Sequence, residues 1–285
     1  MPGYPDLVHF GVLGAVAAWT RDGRKVEVRE SKVRALLAVL LLSAGRPVPV
    51  GQLIDDLWGA DLPVHPAGAL QGKVSRLRQA LEAGEPGSGA LIAFRSSGYL
   101  LQAGDDALDE RRFAALVRRA GAAKDLRDRA GLLAEALGLW RGPALADFAD
   151  ELFAQPAIAR LEEQRLTALE EQAEARLALG EHSLLAGELS ELVARHPLRE
   201  RLRAAHMIAL YQSGRQAEAV WSYNALRGKL ADDLGLDPGP SLAALYQAML
   251  EQSPALQAVP PPPTLATRPR TNLPAMLTDL KQVAR

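Results

Sequence analysis

Cysteine is absent from the 285 residues. That gap removes disulfide frameworks, thiolate zinc sites, iron–sulfur clusters and thiol nucleophiles together, and it fits a reducing, intracellular setting. An excess of either charge is also lacking: 33 Lys and Arg stand against 34 Asp and Glu, so net charge points to no acidic partner and any basic patch must be local. Residues 1–103 carry 11 basic and 9 acidic side chains and residues 104–285 carry 22 and 25, which is a weak asymmetry. No apolar run approaches the roughly 20 residues that span a bilayer; the longest covers residues 35–42. Residues 1–9 show no basic stretch followed by an apolar core, so no secretory signal is expected and the chain reads as cytoplasmic.

Catalytic signatures are missing as well. Among His9, His65, His182, His196 and His206 no pair has the i, i+4 spacing of a zinc helix. No Gly-x-x-x-x-Gly-Lys-Ser/Thr loop is present to cradle a triphosphate, and no motif places a Ser, His and Asp set. The expectation is a protein without metal, cofactor or enzymatic activity. With 48% hydrophobic and 24% charged residues, the composition is that of a folded globular chain, and its length suits two domains.

The first thirty residues read as short strands over 8–13, 15–19 and 25–28, with Arg21-Asp22-Gly23-Arg24 as a hairpin turn. At Ser31, a good N-cap, the period changes. Val33, Leu36, Leu37, Leu40, Leu41 and Ala44 predict an amphipathic helix over 32–44, stopped by Gly45 and Pro47. A short helix over 50–58 and a longer one over 66–83 follow, the latter striped by Leu70, Val74, Leu77 and Leu81. Residues 91–94 and 99–101 then flank Arg95-Ser96-Ser97-Gly98 as a second hairpin.

From residue 108 to about 250 the signal is helical throughout, with stops at Gly121, Gly142-Pro143, Gly180, Pro197, Gly214 and Gly235. Leu179-Gly180-Glu181-His182 and Ser213-Gly214-Arg215-Gln216 lie 34 residues apart, the tetratricopeptide period. Stacked helical hairpins are therefore expected. Beyond Ser253, a proline run at 260–263 and a polar stretch to 274 read as linker, and Met276, Leu277 and Leu280 form a last apolar cluster.

The 66–83 helix carries the chemistry. On a wheel of 100° per residue with the leucine stripe inward, Gly68, Gly72, Ser75, Arg76 and Gln79 lie farthest out, flanked by Gln71, Lys73 and Arg78. In a DNA major groove Arg and Lys read guanine edges, Gln reads adenine and Ser serves either, while the two glycines permit close approach. A solvated surface helix would show the same polar face. The order around it separates the two readings: a short helix, a basic helix, then a hairpin with Arg95 at its tip is the winged helix-turn-helix arrangement. Arg95 would reach the minor groove or a phosphate. Trp58 reads as partly core, with its indole N–H available outward.

Phe10-Gly11-Val12-Leu13-Gly14, the 32–43 helix, Leu53-Ile54-Asp55-Asp56-Leu57-Trp58-Gly59, Leu70-Gln71-Gly72-Lys73-Val74-Ser75-Arg76-Leu77-Arg78-Gln79-Ala80-Leu81 and Ser97-Gly98-Tyr99-Leu100-Leu101 resemble the DNA-binding domain of Streptomyces antibiotic regulatory proteins, an OmpR/PhoB-type winged helix. Leu139-Trp140-Arg141-Gly142-Pro143-Ala144-Leu145, Pro197-Leu198-Arg199-Glu200 and Leu234-Gly235-Leu236-Asp237-Pro238-Gly239 resemble the bacterial transcriptional activation domain of that family. The resemblance covers roughly residues 7–251 and implies a mainly α chain: a winged helix with small sheets over 1–103, an all-α tetratricopeptide-like domain over 104–252, and a tail over 253–285. It further implies a sequence-specific, nucleoid-associated activator of a secondary-metabolite gene cluster. Such an activator binds tandem direct repeats near the −35 region as a dimer or tandem pair and recruits RNA polymerase through its sigma factor.

Carried over by position, Gln71, Lys73, Ser75 and Arg76 fall on the base-facing part of the recognition helix, with Gln79 on the same face. Arg95 falls on the wing, and Lys32 and Trp58 fall where backbone phosphates are met. Two departures stand out: Gly72 replaces a larger side chain common in relatives, and the wing tip lacks their proline. Residues 270–278 resemble the start of the ATPase module that follows these domains in larger relatives, so a small regulator and a piece of a larger one both remain open. A second functional reading also stays open, a helical-repeat adaptor whose N-terminal domain packs on protein instead of DNA.

Overall fold

The computed structural model describes residues 8–96 and 98–256; the proline run, the polar stretch and the Met276 cluster expected beyond lie outside them. Strands β1 (Val8–Gly11) and β2 (Ala17–Thr20) pair antiparallel with Phe10 opposite Ala18. The predicted third strand at 25–28 reduces to a single bridge from Lys25 to Trp19, after which the Val26 N–H donates to the Ala18 carbonyl. Beyond that bond the segment leaves the sheet, because Val26 is buried against Gly84.

Helix α1 (Ser31–Leu42) begins one residue earlier than its sequence suggests. Glu30, extended, is the N-cap and makes no side-chain cap bond, while Ser31 is already helical. Its burial is also wider than an amphipathic stripe: Val33 and every residue from 35 to 41 are buried. A helix apolar all round belongs in the middle of a core. Strand β3 (Val48–Pro49), β4 (Ile92–Arg95) and β5 (Gly98–Leu101) form an antiparallel sheet in the order β3-β5-β4. Between β3 and β4 run α2 (Val50–Trp58) and α3 (Pro66–Gly84). Pro66, whose missing N–H costs nothing in the first helical turn, starts α3. The inward stripe Leu70, Val74, Leu77 and Leu81 is at most 2% exposed, and burying each side chain contributes about 1.5–3 kcal/mol before the entropy of ordering it is subtracted.

The second half is a run of helices: α4 (Asp109–Ala122), α5 (Leu126–Gly138), α6 (Gln155–Ala178), α7 (His182–Arg195), α8 (Glu200–Gln212), α9 (Gln216–Leu234) and α10 (Pro240–Leu250). Gly180 (φ +88°) and Gly214 (φ +79°) make the α6–α7 and α8–α9 turns in the left-handed region, which explains why glycine recurs there at the 34-residue interval. Helical signal does not hold throughout, however. Between α5 and α6 the chain is irregular apart from a short 3-10 turn at Ala146–Phe148. Its backbone N–H groups are committed elsewhere: Arg141, Leu145 and Ala146 donate to the carbonyls of Leu13, Val12 and Gly14 in the β1–β2 turn, at 2.8, 2.9 and 3.2 Å. One buried apolar cluster accordingly contains residues from Val8 to Ala168, and a second those from Ala173 to Met249.

Candidate nucleic-acid interface

Helix α3 presents its polar face as the wheel places it. Gly68, Gln71, Gly72, Ser75, Arg76 and Gln79 are exposed, and Lys73 and Arg78 are half-buried at the flanks. A Cβ added at Gly68 or Gly72 would meet nothing within 4 Å, so the middle of this face is bare backbone that a partner can approach closely.

The three cations of α3 are not free. Arg78 turns toward the wing and donates from Nε (3.0 Å) and Nη2 (2.7 Å) to the Ile92 carbonyl at the start of β4. Lys73 and Arg76 both reach the same carboxylate, Glu30 at the N-cap of α1, with Lys73 on Oε1 and Arg76 on Oε2. These partners, the Lys73 hydrogen bond first, hold the Glu30 carboxyl below the usual carboxylate range. Exposure rises along the chain of contacts, from 19% at the Lys73 side chain through 34% at Glu30 to 63% at Arg76. Glu82, the one acid of α3, accepts the N–H groups of Gly87 (2.9 Å) and Gly89 (3.1 Å), which lower its pKa and fix the turn after the helix.

The remaining predicted residues sit apart from that face. Arg95 is exposed at the end of β4, and Ser96 next to it takes a left-handed φ of +54°. That is the backbone a tight hairpin needs. Lys32, in the first turn of α1, donates its ammonium to the Leu57 carbonyl near the end of α2. Trp58 closes α2, half-buried and packed against the first apolar cluster. The structure therefore brings Gln71, Ser75, Arg76 and Gln79 onto one surface, with Lys73 at its edge, and places Lys32 with Trp58 at the α1–α2 junction and Arg95 on the hairpin. Sequence reasoning missed Glu30. Its partners lie 43 and 46 residues on, and the only local signal is an acid at a helix N-terminus whose side chain makes no cap bond. Among the described residues no group of His, Asp and Glu could hold a metal ion, and no helix is long and apolar enough to cross a membrane.

Residues 23–101 match the family described as transcriptional regulatory protein, C terminal, and residues 108–250 match the bacterial transcriptional activator domain. The chain is 41% identical over 291 residues to the regulatory protein AfsR of Streptomyces coelicolor, a match that covers 98% of this chain and 28% of that protein. It is 37% identical over 263 residues to the transcriptional regulator RedD of the same organism, covering 89% of this chain and 75% of RedD. Among solved structures, Mycobacterium tuberculosis EmbR in complex with a low-affinity phosphopeptide superimposes with a TM-score of 0.80 at 36% identity, over 87% of this chain and 66% of that one.

Proposed function

The chain belongs to the Streptomyces antibiotic regulatory protein family of transcriptional activators, and from that premise we propose that it reads promoter DNA with α3 in the major groove. Residues 1–103 form the reading half, and residues 104–252 recruit RNA polymerase through its sigma factor. The DNA is a set of tandem direct repeats near the −35 region of a secondary-metabolite gene cluster, occupied in the nucleoid by a dimer or tandem pair. The observation that carries this reading is the outer face of α3. A leucine-backed helix presents Gln71, Ser75, Arg76 and Gln79 around two bare glycines, which is the donor and acceptor set that discriminates base edges. In this reading Lys73 supports that face, while Lys32, Trp58 and Arg95 meet backbone phosphates and fix the register.

A gel-shift titration over a salt series tests it. If Lys32 and Arg95 each neutralise one phosphate, the logarithm of the affinity falls against the logarithm of salt with a slope of at least about −1.8 per bound chain. Arg76→Ala is expected to cost about 1–3 kcal/mol at the preferred site and to relax the preference at one base position. A salt-independent shift, or an Arg76→Ala variant with unchanged affinity and unchanged preference, overturns the assignment of α3.

The helical half is proposed to fix protomer contact on adjacent repeats. A duplex with two repeats should then bind cooperatively, its second site filling at lower protein concentration than an isolated one. Equal affinity per site on one-repeat and two-repeat duplexes removes this part of the proposal.

A further inference from the structure

Glu30 stands outside the helix-turn-helix, yet two of the three cations of α3 end on its carboxylate. An acid at an N-cap position ordinarily accepts the free amide N–H groups of its own helix and complements the helix dipole. Glu30 does not: its backbone takes the extended N-cap conformation, but its side chain makes no cap bond and is turned onto α3. The cap interaction is forgone, and Lys73 and Arg76 are tied down in exchange.

We infer that Glu30 is the positioning residue that sets the sequence discrimination of α3, holding the guanidinium of Arg76 by one edge while Lys73 neutralises the carboxylate from the other side. The inference rests on the reading of α3 as the recognition helix and deepens it. Three observations carry it. The first is the geometry of the bridge. Arg76 gives Glu30 its Nη1 group alone. A guanidinium has five donors in a rigid fork, so the rest of the fork remains for a bidentate acceptor pair such as the O6 and N7 edge of guanine.

The second is the order of exposure. Lys73 is the innermost member of the triad and Arg76 the outermost, so Lys73 acts through Glu30, and Arg76 is the member that can touch a base. The third is the sign of the charge. With Arg78 committed to the Ile92 carbonyl, freeing Lys73 and Arg76 would give α3 two mobile cations able to follow any phosphate. A carboxylate between them binds both and repels the DNA backbone, which penalises binding to the wrong sequence more than to the right one.

The test uses the full chain and two duplexes of equal length: one selected by the wild-type chain from a randomised pool, and one of unrelated sequence. Affinities over a salt series are compared for wild type, Glu30→Gln, Glu30→Asp, Arg76→Ala and the double variant Glu30→Gln/Arg76→Ala. For Glu30→Gln the selected-to-unrelated affinity ratio is expected to fall about tenfold, within the discrimination that one bidentate base contact provides. Its salt slope on the unrelated duplex should steepen by about 1–2 as the two cations reach phosphates.

In the Arg76→Ala background the same substitution should change the ratio less than about twofold, because the group that Glu30 orients is gone. A merely structural Glu30 would lower the melting temperature without this dependence on Arg76. Glu30→Asp, which keeps the charge but is too short to span both partners, should lower the ratio by an intermediate factor, and it decides the matter if Glu30→Gln does not fold. An unchanged ratio in the folded acid variants, or the same loss with and without Arg76, overturns the inference and leaves the role of α3 intact. A wild-type chain that selects no sequence overturns both.

Discussion

Asp109→Ala is expected to lower the free energy of unfolding by about 2–4 kcal/mol, the loss that follows when two buried backbone donors are left without their acceptor. Asp109 opens α4 and is only 9% exposed. Its two oxygens accept the backbone N–H groups of Val12 (2.9 Å) and Leu13 (3.1 Å), and Oδ2 also takes the Arg141 guanidinium at 2.9 Å. Arg141 in turn donates to the Ala15 carbonyl at 3.0 Å and lies 4.5 Å over the Trp19 ring. Truncation to alanine leaves two buried amides of the β1–β2 turn without an acceptor, each with its own desolvation penalty, whereas the Arg141 guanidinium, exposed to solvent, exchanges the carboxylate for water at small cost.

Asp109→Asn keeps one acceptor oxygen and should lose about half as much. Urea unfolding followed by circular dichroism measures both. Because β1, β2 and the helices from α4 to the start of α6 share one apolar cluster, the transition should move to lower urea as a unit. A shift below about 1 kcal/mol would show that the carboxylate is replaced by water at no great cost.

The contrast between Asp109 and the helices of the winged half explains how far the amino-acid order can be read. α2 and α3 announce themselves because their leucines recur every three or four residues, and packing of those same leucines is what stabilises them. Gly180 and Gly214 are legible for a similar reason, since each turn demands a left-handed residue at one position. Asp109 gives no such signal: its amide partners lie 97 and 96 residues away, and nothing in the local order of Asp109-Glu110-Arg111-Arg112 separates a buried acid from a first-turn acid that complements a helix dipole.

Glu30 and Ser31 show the same limit at short range. Serine is the stronger N-cap type, yet Glu30 takes the position because its side chain is held by α3. The irregular stretch between α5 and α6 looks helical in composition, and is not, because its N–H groups find the carbonyls of the β1–β2 turn. In each case a tertiary partner overrides the local preference. For the candidate interface this means that the outward residues of α3 can be read from periodicity, whereas the charge state of that face depends on a carboxylate from another element.

Gly98→Val is expected to remove the wing as an ordered element while leaving α3 in place. Gly98 starts β5, opposite Pro49 of β3 and Arg95 of β4. A Cβ there would lie 2.1 Å from the Val48 carbonyl oxygen and 2.5 Å from its carbon. Both contacts are with backbone, so no side chain can swing aside to relieve them. Either β3 separates from β5 or the β4–β5 hairpin tilts, and overpacking of this kind costs about 1–3 kcal/mol, or more where backbone must move. Thermal unfolding should register that loss.

DNA binding should register the displacement separately, since Arg95 rides on the same hairpin. If Arg95 meets one phosphate, the salt slope of the folded variant becomes shallower by about 0.9, while the base preference proposed for Gln71, Ser75, Arg76 and Gln79 is expected to be retained. Arg95→Ala should reproduce the change in slope without the loss of stability. A Gly98→Val chain that melts as wild type would mean that β3 and β5 are not held together at this point, and a folded variant with an unaltered slope would place Arg95 away from the DNA backbone.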